Sequence, residues 1–447
     1  MKTPIVDFAR EYAQKNSVRL HMPGHKGISR LGCEPYDITE IDGADVLYSP
    51  SGIILESENN ATQLFGTEHT FYSTEGSTLC IKAMLGIATA NRGAERPLIM
   101  ATRNSHKAFI YACALLDLDV EWIFPEKDAH LCECIVTPRE LENSLDALDN
   151  KPAAVYVTSP DYLGNILDIK GLSDVCHSHG IPLLVDNAHG AYLRFLPESR
   201  HPISLGADMC CDSAHKTLPV LTGGAYLHIS KSADKGYCDV AREKLSLFAS
   251  TSPSYLILQS LDMCNAYLSD GYSEKLSRLC KSLSEMCERL ADRGYEISAR
   301  EPAKICVDTS KSGFSGMSLA KHLRAQGIEI EFSDIDRVVM MFTPDNSEGD
   351  IDRAEKALLS FDTAPSDKRY NAVPYACDIP QRVMSIREAI FSPSETVCVE
   401  ASVGRICATP TVSCPPAIPI VVSGEVISAG HIRLFEHYGI EKISVVK

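Results

Sequence analysis

The sequence predicts an α/β fold: a large domain built on a mostly parallel sheet, followed by smaller α+β structure. Three observations carry this. Short apolar runs recur between residues 70 and 230, amphipathic stretches separate them, and polar clusters sit where several of the runs end. Buried runs alternating with helices imply a parallel sheet covered on both faces. In such sheets ligands bind beyond the carboxyl ends of the strands.

Taken in order, Ile5, Phe8, Ala9 and Tyr12 have helical spacing, so the N-terminus reads as a short amphipathic helix and not as a signal peptide. Strands are expected at 98–101, 120–124, 153–157, 182–185, 207–211 and 225–229, with helices such as 78–90 and 106–116 between them. The rhythm then changes. A helix at 282–293, a strand near Ile305, a helix at 317–326, strands at 328–332 and 338–342 and a helix at 351–360 read as a small α+β domain. A Pro- and Ser-rich junction at 363–367 opens a C-terminal segment, in which Pro415, Pro416 and Pro419 remove backbone donors and force irregular structure. The expected organisation is an arm at 1–34, a large domain at 35–270, a small domain at 271–362 and a C-terminal segment at 363–447.

The bulk numbers narrow the class. A chain of 447 residues, 45% hydrophobic and 23% charged, is that of a soluble globular protein with more than one domain. No stretch reaches the roughly 18 apolar residues of a membrane helix, so a cytoplasmic protein is expected. A net charge of −16 argues against nucleic acid and would help attract cationic substrates. The 17 cysteines include no C-x-x-C pair. Cys132-x-Cys134 and Cys210-Cys211 fit no common zinc spacing, so no metal is expected and the thiols read as small buried hydrophobes.

Four clusters carry chemistry. Asp186-Asn187-Ala188-His189-Gly190 puts a carboxylate just past a buried run, where it can face a ligand or cap a helix. Asp212-Ser213-Ala214-His215-Lys216-Thr217 puts a lysine at the next run's end. A desolvated lysine has a depressed pKa and attacks aldehydes, although a single lysine is more often a surface residue. Glu75-Gly76-Ser77-Thr78 precedes an apolar helix, where N–H groups and two hydroxyls form an anion site or a routine cap. Arg103-Asn104-Ser105-His106-Lys107 offers an imidazole that can stack on an aromatic ring or simply be a satisfied polar side chain.

An anion cradle, an imidazole, a carboxylate and a lysine thus occur in chain order on one sheet. That arrangement resembles the aspartate-aminotransferase-like (fold type I PLP) enzymes. His21-Met22-Pro23-Gly24-His25-Lys26-Gly27, Asp37-Ile38-Thr39-Glu40 and the 103–107, 185–190 and 213–219 blocks resemble motifs of the Orn/Lys/Arg decarboxylase family. So does Cys414-Pro415-Pro416-Ala417-Ile418-Pro419 with Gly424-Glu425, which extends the resemblance over nearly the whole chain.

The resemblance implies pyridoxal 5'-phosphate (PLP) held as a Schiff base on Lys216. It implies decarboxylation of a small cationic amino acid (arginine, lysine or ornithine) to agmatine or a diamine, a step of polyamine biosynthesis. Asp186 would pair with the pyridine nitrogen and His106 would stack on the ring. Gly76, Ser77, Thr78 and Ser213 would cradle the phosphate. His189 and His215 become candidates for handling protons. Ser252, in Thr251-Ser252-Pro253-Ser254-Tyr255, would reach the neighbouring subunit's phosphate in a homodimer with shared active sites. The chain begins almost at the HMPGHKG block, so the resemblance leads us to expect a short form without the receiver-like domain of the family's large members.

Three positions depart from the family pattern: Glu75 where Asn is usual, Asp161 where Thr is usual, and Ala417 where Gly is usual. Glu75 and Asp161 are therefore candidates to meet the substrate's distal cation. Aminotransferase or lyase chemistry on the same fold would call for a small-domain arginine, such as Arg337 or Arg353. A non-catalytic regulatory relative would keep the fold without turnover.

Overall fold

A computed structural model describes residues 1–90, 96–126, 129–298, 300–363, 379–412 and 417–447. Most of the expected junction, and Pro415 and Pro416, lie outside the described residues.

Seven strands form the principal sheet: β1 (His69–Ser73), β2 (Leu98–Thr102), β3 (Asp119–Ile123), β4 (Ala154–Thr158), β5 (Leu183–Asp186), β6 (Met209–Asp212) and β7 (Ala225–Ile229). Their order is β1-β7-β6-β5-β4-β2-β3. β2 and β3 pair in parallel, as do β5 and β6. β7 runs antiparallel to both β6 and β1, so β1 points the same way as β6. Strands β5, β6 and β7 are buried along their whole length, which is why they read as apolar runs without alternation. β1 gave no such signal. Its Thr70 and Tyr72 are polar but satisfied: Thr70 Oγ1 lies 2.9 Å from His228 Nδ1, and Tyr72 donates its hydroxyl to the Ser57 carbonyl at 2.9 Å.

The chain divides into two compact units. The first comprises Met1–Gly93, Ala153–Val155 and Ile169–Lys275. It holds α1 (Pro4–Gln14), α2 (Ile53–Phe65), α3 (Gly76–Ala88) and strands β1, β5, β6 and β7. The N-terminus of α1 has no side-chain cap of its own. Asp262, on the helix Tyr255–Leu268, accepts from Ile5 N at 2.9 Å and Val6 N at 3.1 Å and so satisfies two of the donors that a helix start leaves open.

The second unit comprises Ala94–Pro152, Tyr156–Asp168 and Leu276–Lys447. It holds β2, β3, α4 (Lys107–Leu116) and an antiparallel sheet of β8 (Glu296–Ile297), β9 (Lys304–Asp308), β10 (Phe332–Ser333) and β11 (Arg337–Met341), in the order β10-β11-β9-β8. The strand expected at 328–332 contracts to β10, because only its end forms a ladder with β11. The C-terminal segment, expected to be irregular around its prolines, adds two small antiparallel pairs. β12 (Ser394–Cys398) pairs with β15 (Lys442–Val446), and β13 (Thr411–Val412) with β14 (Pro419–Val421). A single cluster including Tyr162, Cys306, Phe332, Val339, Ile420 and Phe435 packs this segment onto the small sheet. Among the described residues no helix is long and apolar enough to cross a membrane.

Candidate active site

The strand register brings the polar clusters of the first unit to one edge. Asp186, the last residue of β5, pairs with Cys211, so Asp212 lies one residue further along β6. Asp212 is opposite Tyr226 of β7, which is in turn opposite Tyr72 of β1. The loops that leave β1, β5 and β6 therefore start at the same end of the sheet.

Asp186 is buried. Its Oδ1 accepts from Ala188 N at 3.2 Å and lies 3.6 Å from the Cys211 thiol. It organises its own turn. The next helical element, Ala191–Phe195, starts at Gly190 without a side-chain cap, so Asp186 is not a helix cap. His189, three residues on, is buried with its Nε2 at 3.1 Å from Lys216 Nζ. Lys216 is half-buried on a single turn, Ala214–Thr217. Beside it, Thr217 buries a hydroxyl that has no hydrogen-bond partner.

His215 Nδ1 lies 2.9 Å from the Gly224 carbonyl. A carbonyl only accepts, so Nδ1 carries the hydrogen and Nε2 keeps a lone pair. Burial holds the His215 pKa below its ordinary value, and the Lys216 charge adds to that.

The anion cradle is assembled from two loops. Ser213, buried, donates its hydroxyl to Ser77 Oγ at 2.8 Å. Gly76 opens α3 at φ +70°, a backbone region that side chains disfavour. Its N–H donates to the Gly223 carbonyl at 2.7 Å. No side chain caps α3, so the N–H groups that follow Gly76 face the cradle beside the Ser77 hydroxyl and the exposed Thr78 without a side-chain acceptor. Glu75 is exposed and accepts from Ser250 N at 2.7 Å. Ser252 is exposed, and its N–H donates to Ser250 Oγ at 3.1 Å. The helix cap that this turn suggested is supplied by Ser254.

In the second unit, His106 caps α4: its Nδ1 accepts from Ala108 N at 3.1 Å, which assigns a neutral ring's hydrogen to Nε2. The next residue, Lys107, donates its N–H to the Ala417 carbonyl at 3.0 Å. Ala417 adopts φ +61°, where a glycine would be unstrained. Arg103, at the end of β2, is buried and paired with the buried Glu425. Asp161 is buried with both oxygens occupied: Oδ1 accepts from Leu163 N and Asn165 N, each at 2.9 Å, and Oδ2 from Asn165 Nδ2 at 2.9 Å. It organises a turn and is a poor receptor for a substrate cation. Arg337 is ion-paired with Asp308, and Arg353 donates to the Gln326 carbonyl.

Sequence reasoning missed two buried networks. Asp212 accepts from His201 Nε2 and His228 Nε2, each at 3.0 Å, and from Asn187 Nδ2 at 2.6 Å. The Arg103–Glu425 pair joins residues 322 positions apart. Neither has a local spacing signal. Only the repetition of an aspartate at two neighbouring strand ends, Asp186 and Asp212, hinted at the first.

A phosphorylated aromatic aldehyde needs an amine, a carboxylate for its ring nitrogen and an anion cradle. Lys216, the buried Asp186, the uncapped start of α3 and the Ser77–Ser213 pair fit those needs.

Comparisons with known proteins bear on the family and the fold. The model of the family "Orn/Lys/Arg decarboxylase, major domain" matches residues 3–305. An arginine decarboxylase of Bacillus subtilis is 30% identical over 96% of this chain and 92% of its own length. One from Halalkalibacterium halodurans has the same identity and the same coverage. The crystal structure of the Francisella novicida lysine decarboxylase superposes on all of this chain and 81% of its own with a TM-score of 0.82, at 17% identity, which extends the likeness to the fold. The architecture is that of the fold type I PLP enzymes. By sequence and by fold, this chain belongs to the Orn/Lys/Arg decarboxylase family and is a decarboxylase.

Proposed function

We propose that this protein removes the α-carboxylate of a basic amino acid as carbon dioxide, with arginine the first candidate, using PLP held on Lys216. The observation that carries the reading is the meeting of Lys216 Nζ with His189 Nε2 at 3.1 Å, beside the buried Asp186, at the carboxyl ends of β5 and β6. Arginine comes first because near-full-length relatives act on it by name.

When bound, PLP supplies an electron sink for the pair left on Cα as the carboxylate departs. Asp186 holds a proton at the ring nitrogen, which burial and a fixed turn suit it to do. Ser77, Thr78, Ser213 and the first N–H groups of α3 hold the phosphate. By the family resemblance, His106 would stack on the ring. His189 shares a proton with Lys216 Nζ, so the lysine amine has an adjacent relay for returning a proton to Cα. His215, neutral with a lone pair on Nε2, is the second candidate for that relay. Glu75, exposed at the mouth of the cradle, remains the candidate for the distal cation.

The protein acts as a homodimer with Ser252 reaching the partner's phosphate. Val18, Leu20 and Leu31 of the arm are 84%, 90% and 89% exposed, which supports burial against a second copy. We take residues 35–270 as the cofactor-binding domain and 271–362 as the small domain.

The test is carbon dioxide trapped from arginine, lysine and ornithine supplied separately with PLP. Release from one of them, with the matching amine as product, is expected. A keto acid without carbon dioxide would replace the proposal with transamination.

A further inference from the structure

Behind the strand ends lies a charged group that the reaction above does not use. Asp212 is wholly buried at the end of β6. Three donors surround it: His201 Nε2 and His228 Nε2 on Oδ2, and Asn187 Nδ2 on Oδ1. A carboxylate only accepts, so both imidazoles carry hydrogen on Nε2. His228 Nδ1 then accepts from the Thr70 hydroxyl, 2.9 Å away. His201 Nδ1 is buried without a partner, which suits a bare lone pair better than a second N–H. The arrangement is thus one carboxylate held by three neutral donors, and its charge stays in place.

Burial pushes the Asp212 carboxyl up, and the hydrogen bonds from the two imidazoles pull it down and favour the ionised form. Burial also keeps His228 below its ordinary value, against the pull of Asp212.

The position of this anion gives it work. Asn187 directly follows Asp186, and its N–H donates to the Cys211 carbonyl at 3.0 Å. Ser213, of the anion cradle, directly follows Asp212. Burial pushes up the thiols of Cys211, on β6, and Cys80, on α3, and the charges of Asp186 and Asp212 both add to each shift, so the two carboxylates act on the same neighbourhood. We propose that Asp212 is a positioning residue of the cofactor site: it locks Asp186 through Asn187 and adds a second buried negative charge that favours protonation at the lysine-held cofactor. This rests on Lys216 being the cofactor lysine. Besides Asp186, the titratable groups near that lysine include His189 and His215. The elements packed on its turn also carry Tyr226 and His228 from β7 and Tyr192 and Arg194 from Ala191–Phe195. The Arg194 charge reaches His228, so it belongs to the same field.

The experiment titrates purified holoenzyme with pH while reading the visible band of the lysine-held cofactor. Asp212→Asn removes the charge and keeps the shape. His228→Gln disturbs the same packing and keeps the charge. We expect the band's pH midpoint to fall by about one unit in Asp212→Asn and to stay within about 0.3 unit in His228→Gln, since an opposite charge nearby is worth one unit or more. Equal shifts in both variants, or none in Asp212→Asn, overturn the inference. Should Asp212→Asn fail to fold, nitrogen NMR of selectively labelled wild type decides. Two neutral Nε2–H imidazoles at 201 and 228 support the inference, and a cationic ring at either overturns it. Stoichiometric zinc held by His201, Cys210 and Asp212, whose ligating atoms lie within 4.8 Å of one another, also overturns it. A wild type without any visible band defeats the site reading itself, whereas a band that ignores Asp212→Asn removes only this inference.

Discussion

The Arg103–Glu425 pair makes a quantitative prediction about how the C-terminal segment supports the loop bearing His106. Arg103 donates from Nη1 to Oε1 at 3.0 Å and from Nη2 to Oε2 at 2.8 Å, and both residues are 3% exposed. The guanidinium carbon also lies 5.1 Å from the Trp122 ring centroid. Glu425→Gln leaves the buried guanidinium without its counter-charge, a loss of about 3–5 kcal/mol for a pair of this kind. For a cooperative unit of about 150–250 residues, about 1 kcal/mol moves the thermal midpoint by about 2–4 °C, so the midpoint should drop by about 6–20 °C. Removing both charges in Arg103→Met with Glu425→Met should recover most of that drop, because two well-packed apolar groups leave no buried charge. What remains should be about 1 kcal/mol for the Val422 N–H, which now donates to Glu425 Oε2 at 2.8 Å. Calorimetry of the wild type, Arg103→Met, Glu425→Met and the double variant forms the cycle, with Glu425→Gln measured beside it. Strictly additive losses, or a drop below about 2 °C in Glu425→Gln, would refute the reasoning.

Three further outcomes are expected. Asp186→Asn should keep the visible lysine-bound cofactor and lose turnover by about two orders of magnitude or more, measured as carbon dioxide release; near-normal turnover would reduce Asp186 to a turn former. Mixing a Lys216→Ala protein with a Ser252→Asp protein, after verified subunit exchange, should restore about a quarter of wild-type sites, since each mixed dimer has one intact shared site. No recovery would leave the 251–255 turn as local structure. Burial pushes the Asp161 carboxyl up to about 6, while the Asn165 hydrogen bonds and the Lys304 charge oppose the shift. The folded state therefore binds this proton more tightly than the unfolded chain does. The resulting stabilisation is fully present below about pH 4 and is lost as pH rises through about 6, so the wild type's stability relative to Asp161→Asn should fall by up to about 3 kcal/mol between pH 4 and 7. Denaturation midpoints that run parallel across that range would contradict it.

The legible parts of the molecule were those with one dominant signal. The runs at 98–101, 182–185 and 225–229 became β2, β5 and β7 because strands buried on both faces need continuous apolar sequence. The helix 348–360 was announced in part by its apolar spacing, and its true start is the Ser347–Asp350 capping box. β1 was hidden because Thr70, Tyr72 and Ser73 are buried polar residues whose partners lie far away in sequence, such as Thr70 with His228. β12 was hidden for the opposite reason. It is mostly exposed and held by its ladder to β15, a pairing no local pattern encodes. At the site, the chain order of Gly76, His106, Asp186 and Lys216 was readable from strand ends. The His189–Lys216 contact and the Asp212 network were not, because they depend on side-chain directions across neighbouring loops.

The central claim is that Lys216 holds the cofactor. Borohydride reduction of the PLP-loaded protein, followed by peptide mass spectrometry, tests it most directly. The account predicts a single reduced pyridoxyl adduct on Lys216, absent from Lys216→Ala. An adduct on Lys26 or Lys107 in its place, or a Lys216→Ala protein that still forms the same visible band on a lysine, would contradict it.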